Sequence, residues 1–191
     1  MQTAGKNRLQ IFTIGHSNRT REDFLALLKE FGIETVADIR RYPGSRKFPH
    51  FNRETLQEAL KAEGVNYIWF ESLGGRRHGE KNAESKNTGL KSPAFRNYAD
   101  YMATGEFRQG IEKLLEAAGE SKTAIMCAEA LYWRCHRRLV CDYLAAHNVE
   151  VRHILESGKL LEHNMTAGAV VTEGGDVIYP SQAEAGGLFG P

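Results

Sequence analysis

The chain has 191 residues, enough for one well-cored domain and too few to make two the natural division. A net charge of +1 removes any global pull toward nucleic acid or membrane, so a polyanion site has to come from local clustering. The opening residues are polar with no signal-peptide core, and no apolar run approaches the roughly 20 residues that span a bilayer, so neither export nor a membrane partner is expected. The three cysteines are odd in number and lack a Cys-x-x-Cys spacing, which fits reduced thiols in a cytoplasmic protein.

Residues 1–10 read as a flexible tail. Ile11 to Ile14 is an apolar, β-branched run, a buried first strand that ends on Gly15, His16, Ser17 and Asn18. Thr20 is an N-cap followed by acidic residues, and Phe24, Leu27, Leu28 and Phe31 recur at helical spacing before a stop at Gly32. Thr35 to Arg40 is a second strand, which completes a βαβ unit. Residues 40–51 hold two prolines and a glycine and are the most basic stretch of the chain. Arg40, Arg41, Arg46 and Lys47 alternate with Tyr42, Phe48 and Phe51, a pattern that suits phosphates held beside stacked bases, or a plain solvated loop. Asn52 caps a helix that Gly64 ends, and Val65 to Phe70 is a third strand.

The polar segment 71–92, opening with Leu73, Gly74 and Gly75, has few apolar anchors and is expected to be a mobile flap. Ser92, with Pro93 behind it, starts a further helix, and another covers about 106–118. Ala124 to Cys127 is a fourth strand that runs into the first turns of a helix at Arg134 to Arg138, ending near Asn148. Val149 to Leu155 is a fifth strand. Residues 156–191 read as an extension: a hairpin of 169–172 with 177–179 across Glu173-Gly174-Gly175-Asp176, then a mobile tail. The whole is an α/β domain over 11–155, Rossmann-like and doubly wound. Its sheet is five-stranded and mainly parallel, with helices on both faces.

In such a sheet the carboxyl ends of the strands share one edge, where ligands bind. His16 and Ser17, Asp38 and Arg40, and Cys127 and Glu129 all follow apolar runs and would meet there. The helix after strand four brings free N–H groups that favour an anion, with Arg134 or Arg137 as clamps. Arg137 continues the buried stripe of its helix and would reach either Glu129 or a bound anion. His16, Asp38, Glu129 and His136 are the candidate acid–base groups. Ser17, Arg40, Ser45, Arg46, Gly74, Gly75, Arg134 and Arg137 are the candidate ligand-binding residues, and Cys127 is the candidate nucleophile. Against each stands a plainer role: Cys127 and Cys135 as small buried hydrophobes, Glu129 as half of a structural pair with an arginine.

Several of these segments occur together elsewhere. Thr13-Ile14-Gly15-His16-Ser17, Asp38-Ile39-Arg40 with Pro43 and Ser45, and Leu73-Gly74-Gly75 come first. Cys127-Ala128-Glu129, Cys135-His136-Arg137 and Val151-Arg152-His153-Ile154 follow. In this order, over residues 11–155, the chain resembles the domain of unknown function 488 family. The resemblance implies a single α/β domain of bacterial or archaeal type and supplies no activity, so function rests on the residues.

Three readings fit them. The first is an enzyme acting on a phosphate-bearing small molecule, nucleotide or nucleic acid, with carboxylate and histidine moving protons and arginines holding the anion. The second is a nucleic-acid-binding module without turnover. The third is a cysteine-dependent enzyme of phosphatase or rhodanese type. It fits less well, because six residues rather than five separate Cys127 from Arg134 and Glu129 would oppose a thiolate. No cofactor is expected, since Gly-rich nucleotide loops are absent. No metal is expected either. Cys135 and His136 are adjacent and do not share a helical face, which leaves only a spatial meeting of Cys127, Glu129, His16 and His136. Nothing in the sequence specifies an oligomeric state.

Overall fold

The computed structural model describes residues 8–78 and 84–181. Its centre is a sheet of six strands: β1 (Gln10–Gly15), β2 (Thr35–Asp38), β3 (Asn66–Trp69), β4 (Thr123–Cys127), β5 (Glu150–Glu156) and β6 (Lys159–Glu162). Their order is β3-β2-β4-β1-β5-β6, with every pairing parallel except β5 with β6. Five helices connect or follow them: α1 (Arg21–Glu30), α2 (Arg53–Ala62), α3 (Pro93–Met102), α4 (Gly105–Glu120) and α5 (Arg137–Ala146). Strands β7 (Val170–Val171) and β8 (Val177–Ile178) form the small antiparallel hairpin. No helix of the described residues is long and apolar enough to cross a membrane.

The period-2 alternation of the central strands sorts the core into two layers. Phe12, Ile14, Val36 and Met126 face α1 and α2, burying Phe24, Leu28, Leu56 and Leu60. Ile11, Ala37, Ile125 and Val151 face the other way, against Phe107, Leu114, Leu139 and Leu144 of α4 and α5. Crossovers that run toward β3 use one face and those that run toward β5 use the other. Crossovers of one hand require this division. The chain reverses direction between β1 and β4, which are neighbours whose following helices leave on opposite faces. That is the switch point where the carboxyl ends of the strands open a crevice.

The structure departs from the sequence reading in three places. The sheet has six strands rather than five, because β6 turns back at Gly158, which has a φ of 68°, and pairs with β5. All four β6 residues are exposed, so no buried face marked them. Of the extension, Val177 and Tyr179 are buried in the main core, and the Tyr179 hydroxyl donates to Asp142 Oδ2 at 2.7 Å. The helix after β4 begins at Arg137, later than expected, after a 3-10 turn at Tyr132–Arg134.

Around 71–92, polar contacts do the anchoring that apolar ones were expected to lack. Arg77 donates to the carbonyls of Gly74, Glu71 and Ser72. Asn87 bridges Asp100 and the Tyr179 N–H. Residues 79–83 of that expected flap, 1–7 of the expected tail and 182–191 of the expected mobile end lie outside the described residues.

Candidate anion-binding crevice

A cavity of about 970 Å³ opens at the carboxyl ends of β1, β2 and β4. Such volumes are typical of ligand sites. Gly15 comes just before the wall residues His16 and Ser17. The backbone of β1 continues past the sheet proper, with His16 N–H donating to Cys127 O at 2.9 Å and Ser17 N–H to Ala128 O at 2.8 Å. A Cβ on Gly15 would lie 1.9 Å from the Glu129 carbonyl oxygen, so only glycine lets the two loops run this close.

The wall from β2 is an ion pair. Asp38 and Arg40 are two residues apart at the end of a strand, so both side chains leave on one face. Arg40 Nε donates to Asp38 Oδ1 at 2.9 Å and Nη2 to Oδ2 at 2.5 Å, and Tyr67 donates its hydroxyl to the same Oδ2 at 2.7 Å. Arg40 Nη1 donates to the Phe51 carbonyl at 2.8 Å and to His16 Nε2 at 3.3 Å. A guanidinium only donates, so His16 Nε2 is the bare nitrogen and its Nδ1–H goes to Ser17 O at 3.0 Å. Burial, helped by the Arg40 charge, lowers the His16 pKa to about 4, which keeps the ring neutral.

The third wall comes from β4 and the start of α5. Cys127 ends its strand. Cys135 is extended at φ −125°, and His136 is the N-cap of α5. His136 Nδ1 lies 3.9 Å from Cys127 Sγ and 3.6 Å from Cys135 Sγ, while Nε2 donates to the Ile39 carbonyl at 3.1 Å. Burial opposes ionisation of Cys135, but the Cys127 thiol and His136 together push it well below the usual range. Its hydrogen bond to Cys135 and its burial push Cys127 well above that range.

The fourth wall is the basic loop and the Gly-Gly turn. It holds Arg41, Tyr42, Gly44, Ser45, Lys47, Phe48, Gly75 and Arg76. Asn52 holds the N-cap position of α2 as expected, but its side chain makes no cap bond: its Oδ1 accepts the Ser45 N–H at 2.6 Å and shapes this loop. Ser92 likewise makes no side-chain cap.

The structure brings together His16, Ser17, Arg40, Ser45, Gly75, Cys127, Glu129, Arg134 and His136 on the cavity wall. It places four expected site residues elsewhere. Asp38 is fully buried behind Arg40, with both carboxylate oxygens engaged. Arg46 is exposed outside the cavity. Gly74 is packed on Arg41, whose Cα would sit 2.8 Å from an added Cβ. Arg137 is 1% exposed and takes neither expected role. It donates to the backbone carbonyls of Glu129 and Ala130 and to Thr13 Oγ1, so it props the β4 loop and clamps nothing in the cavity.

The reading of separate residues missed Cys135, Arg76 and Tyr98 as wall residues. Cys135 was discounted because neighbours on a helix point apart. Here the helix starts only after His136, and Cys135 and His136 both reach the cavity wall. A second cluster, Cys141 with His153 and His163, also gathers metal-binding atoms. Its imidazoles are already committed in a chain from Thr13 through His153 and His163 to Asp142, at 2.8, 3.0 and 2.9 Å.

No curated protein and no solved structure matches this chain. A family model does, over residues 20–144, which hold β2–β4 and most of the cavity wall. That match, over more than half of the sequence, places the chain in the family described as domain of unknown function DUF488.

Proposed function

We propose that the crevice binds a phosphate-bearing ligand, a nucleotide or the end of a nucleic acid, and that Glu129 serves there as a proton acceptor for an attacking group. One observation carries the reading. Among the described residues, Lys47, Arg76 and Arg134 line the cavity without an acidic partner, and Glu129 is the only carboxylate on the wall. Arg40 and Arg41 also line it but are paired with Asp38 and Glu71. Three unpaired cations facing one carboxylate favour a di- or trivalent anion. Tyr42, 67% exposed beside Lys47 and Phe48, offers a stacking face for a base.

Glu129 takes the acid–base role ahead of His16 and Asp38, which are occupied. Both nitrogens of His16 and both oxygens of Asp38 have protein partners. A nucleophilic Cys127 has less support, because its thiol is buried and resists ionisation. The three free cysteines, all buried, support a reducing cytoplasmic setting.

A binding module without turnover is the second reading, favoured by the same engagement of His16 and Asp38. Phosphate esters and phosphorylated oligonucleotides assayed for release or cleavage separate the two. The enzyme reading expects turnover in the wild type and its loss in Glu129→Gln with affinity kept or raised, since a negative charge leaves the anion site. Saturable binding with no turnover of any ester would reject the catalytic role.

A further inference from the structure

We infer that Cys127, Cys135 and His136 form a zinc site of the open kind, with three protein ligands and a fourth position facing the crevice. Their donor atoms lie within 4.8 Å of one another. Zinc bonds of about 2.3 Å to sulfur and 2.0–2.1 Å to nitrogen, at tetrahedral angles, put sulfur and nitrogen donors roughly 3.6 Å apart. The observed separations from His136 Nδ1 are 3.6 Å to Cys135 Sγ and 3.9 Å to Cys127 Sγ.

The tautomer is set for this. The Ile39 carbonyl can only accept, so His136 Nε2 carries the proton and Nδ1 presents its lone pair toward both sulfurs. A ligating imidazole held by a backbone carbonyl through its other nitrogen is the usual outer support of a zinc site. Cys135 Sγ also accepts the Arg137 N–H at 3.5 Å, a contact that favours a thiolate. Packing alone does not call for this arrangement: among the described residues the hydrogen-bond partners of the half-buried His136 Nδ1 are the two sulfurs.

The contrast with Cys141, His153 and His163 is instructive. There every imidazole nitrogen has an oxygen or nitrogen partner, and no lone pair is left for a metal. At Cys127, Cys135 and His136 all three ligands line the cavity, so the fourth position is open to water or to a ligand oxygen. Zn²⁺ binds cysteine as thiolate, so loading the site releases thiol protons from Cys127 and Cys135 to solvent. The bound ion would add a positive charge to the cationic wall and acidify a water on it, beside Glu129. The site itself does not depend on the anion reading, because metal binding is measured without any anion ligand.

The test is a titration of chelator-stripped, reduced full-length protein with Co²⁺ and Zn²⁺. The expected result is one metal per chain, with thiolate-to-cobalt charge transfer and the visible bands of tetrahedral cobalt, displaced by Zn²⁺. Cys127→Ser and Cys135→Ser should each weaken binding by more than about a hundredfold, beyond the loss seen when only outer supports are removed. Cys141→Ser should leave it unchanged. Wild-type protein that binds no cobalt under reducing conditions would overturn the proposal, whether or not any variant folds. So would octahedral cobalt without charge transfer, or binding abolished by Cys141→Ser alone.

Discussion

Arg40 is locked onto Asp38 by three hydrogen bonds from its guanidinium, at 2.5–3.0 Å, with the carboxylate fully buried. The pair also fixes His16 through Arg40 Nη1, and a 3-10 turn at Pro49–Phe51 through the Phe51 carbonyl. Arg40→Met leaves a buried carboxylate with only Tyr67 and the Arg40 backbone N–H as partners. The expected loss is about 3–5 kcal/mol of stability, read from urea unfolding. Asp38→Asn keeps the volume and some hydrogen bonds and should lose less.

Arg137 carries a different prediction. Its guanidinium holds the Glu129 and Ala130 carbonyls and Thr13, and Arg137 itself does not line the cavity. Arg137→Met should lower stability by roughly 1–3 kcal/mol, the cost of leaving buried carbonyls unpaired. Affinity for phosphate should change far less than in Arg134→Met. A binding loss in Arg137→Met that equals or exceeds the one in Arg134→Met, at unchanged stability, would return Arg137 to the role of clamp.

The fold should weaken in mild acid. Burial, with His163 and Arg137 nearby, lowers the His153 pKa from the usual 6.5 to about 3, and His16 is held at about 4. Between those values and pH 6.5 the unfolded chain binds protons that the folded chain does not. Stability is therefore full above about pH 6.5 and falls as the pH drops through 5, by on the order of 1.4 kcal/mol per unit for each histidine. Denaturant midpoints at pH 7.5 and 5.0 check this, and His153→Gln should flatten the dependence.

Gly15→Ala should damage the crevice more than any other single methyl. The new carbon would meet the Glu129 carbonyl at 1.9 Å, and backbone on both loops has to move. The expected cost is about 3 kcal/mol, the upper range of overpacking, with loss of phosphate binding. Gly105→Ala, where nothing lies within 4 Å, is the control.

The parts of this molecule that could be read from its sequence were those with a period. Apolar runs ending in polar residues located β1, β2 and β4 and their shared edge, and helical stripes located α1 to α5. What escaped depended on where an element begins. Cys135 and His136 were judged by helical geometry, yet one is extended and the other caps the helix, so both turn to one side. The Asp38–Arg40 pair was legible in principle, since strand residues two apart share a face. Treating them as separate catalytic and binding groups hid it. Strand β6 escaped because Lys159–Glu162 shows no alternation of burial, and Gly74 and Gly75 read as ligand-binding where close approach to Arg41 and His136 accounts for both glycines.

The central claim is that three unpaired cations make this crevice an anion site. Calorimetric titration of inorganic phosphate into the wild type and into the Lys47→Met, Arg76→Met, Arg134→Met triple variant tests it most directly. The account predicts saturable binding at the wild-type crevice, weakened by added salt, and its loss in the triple variant with stability nearly unchanged, as for exposed substitutions. Equal affinity in the two proteins, or no binding by the wild type at low salt, would contradict it.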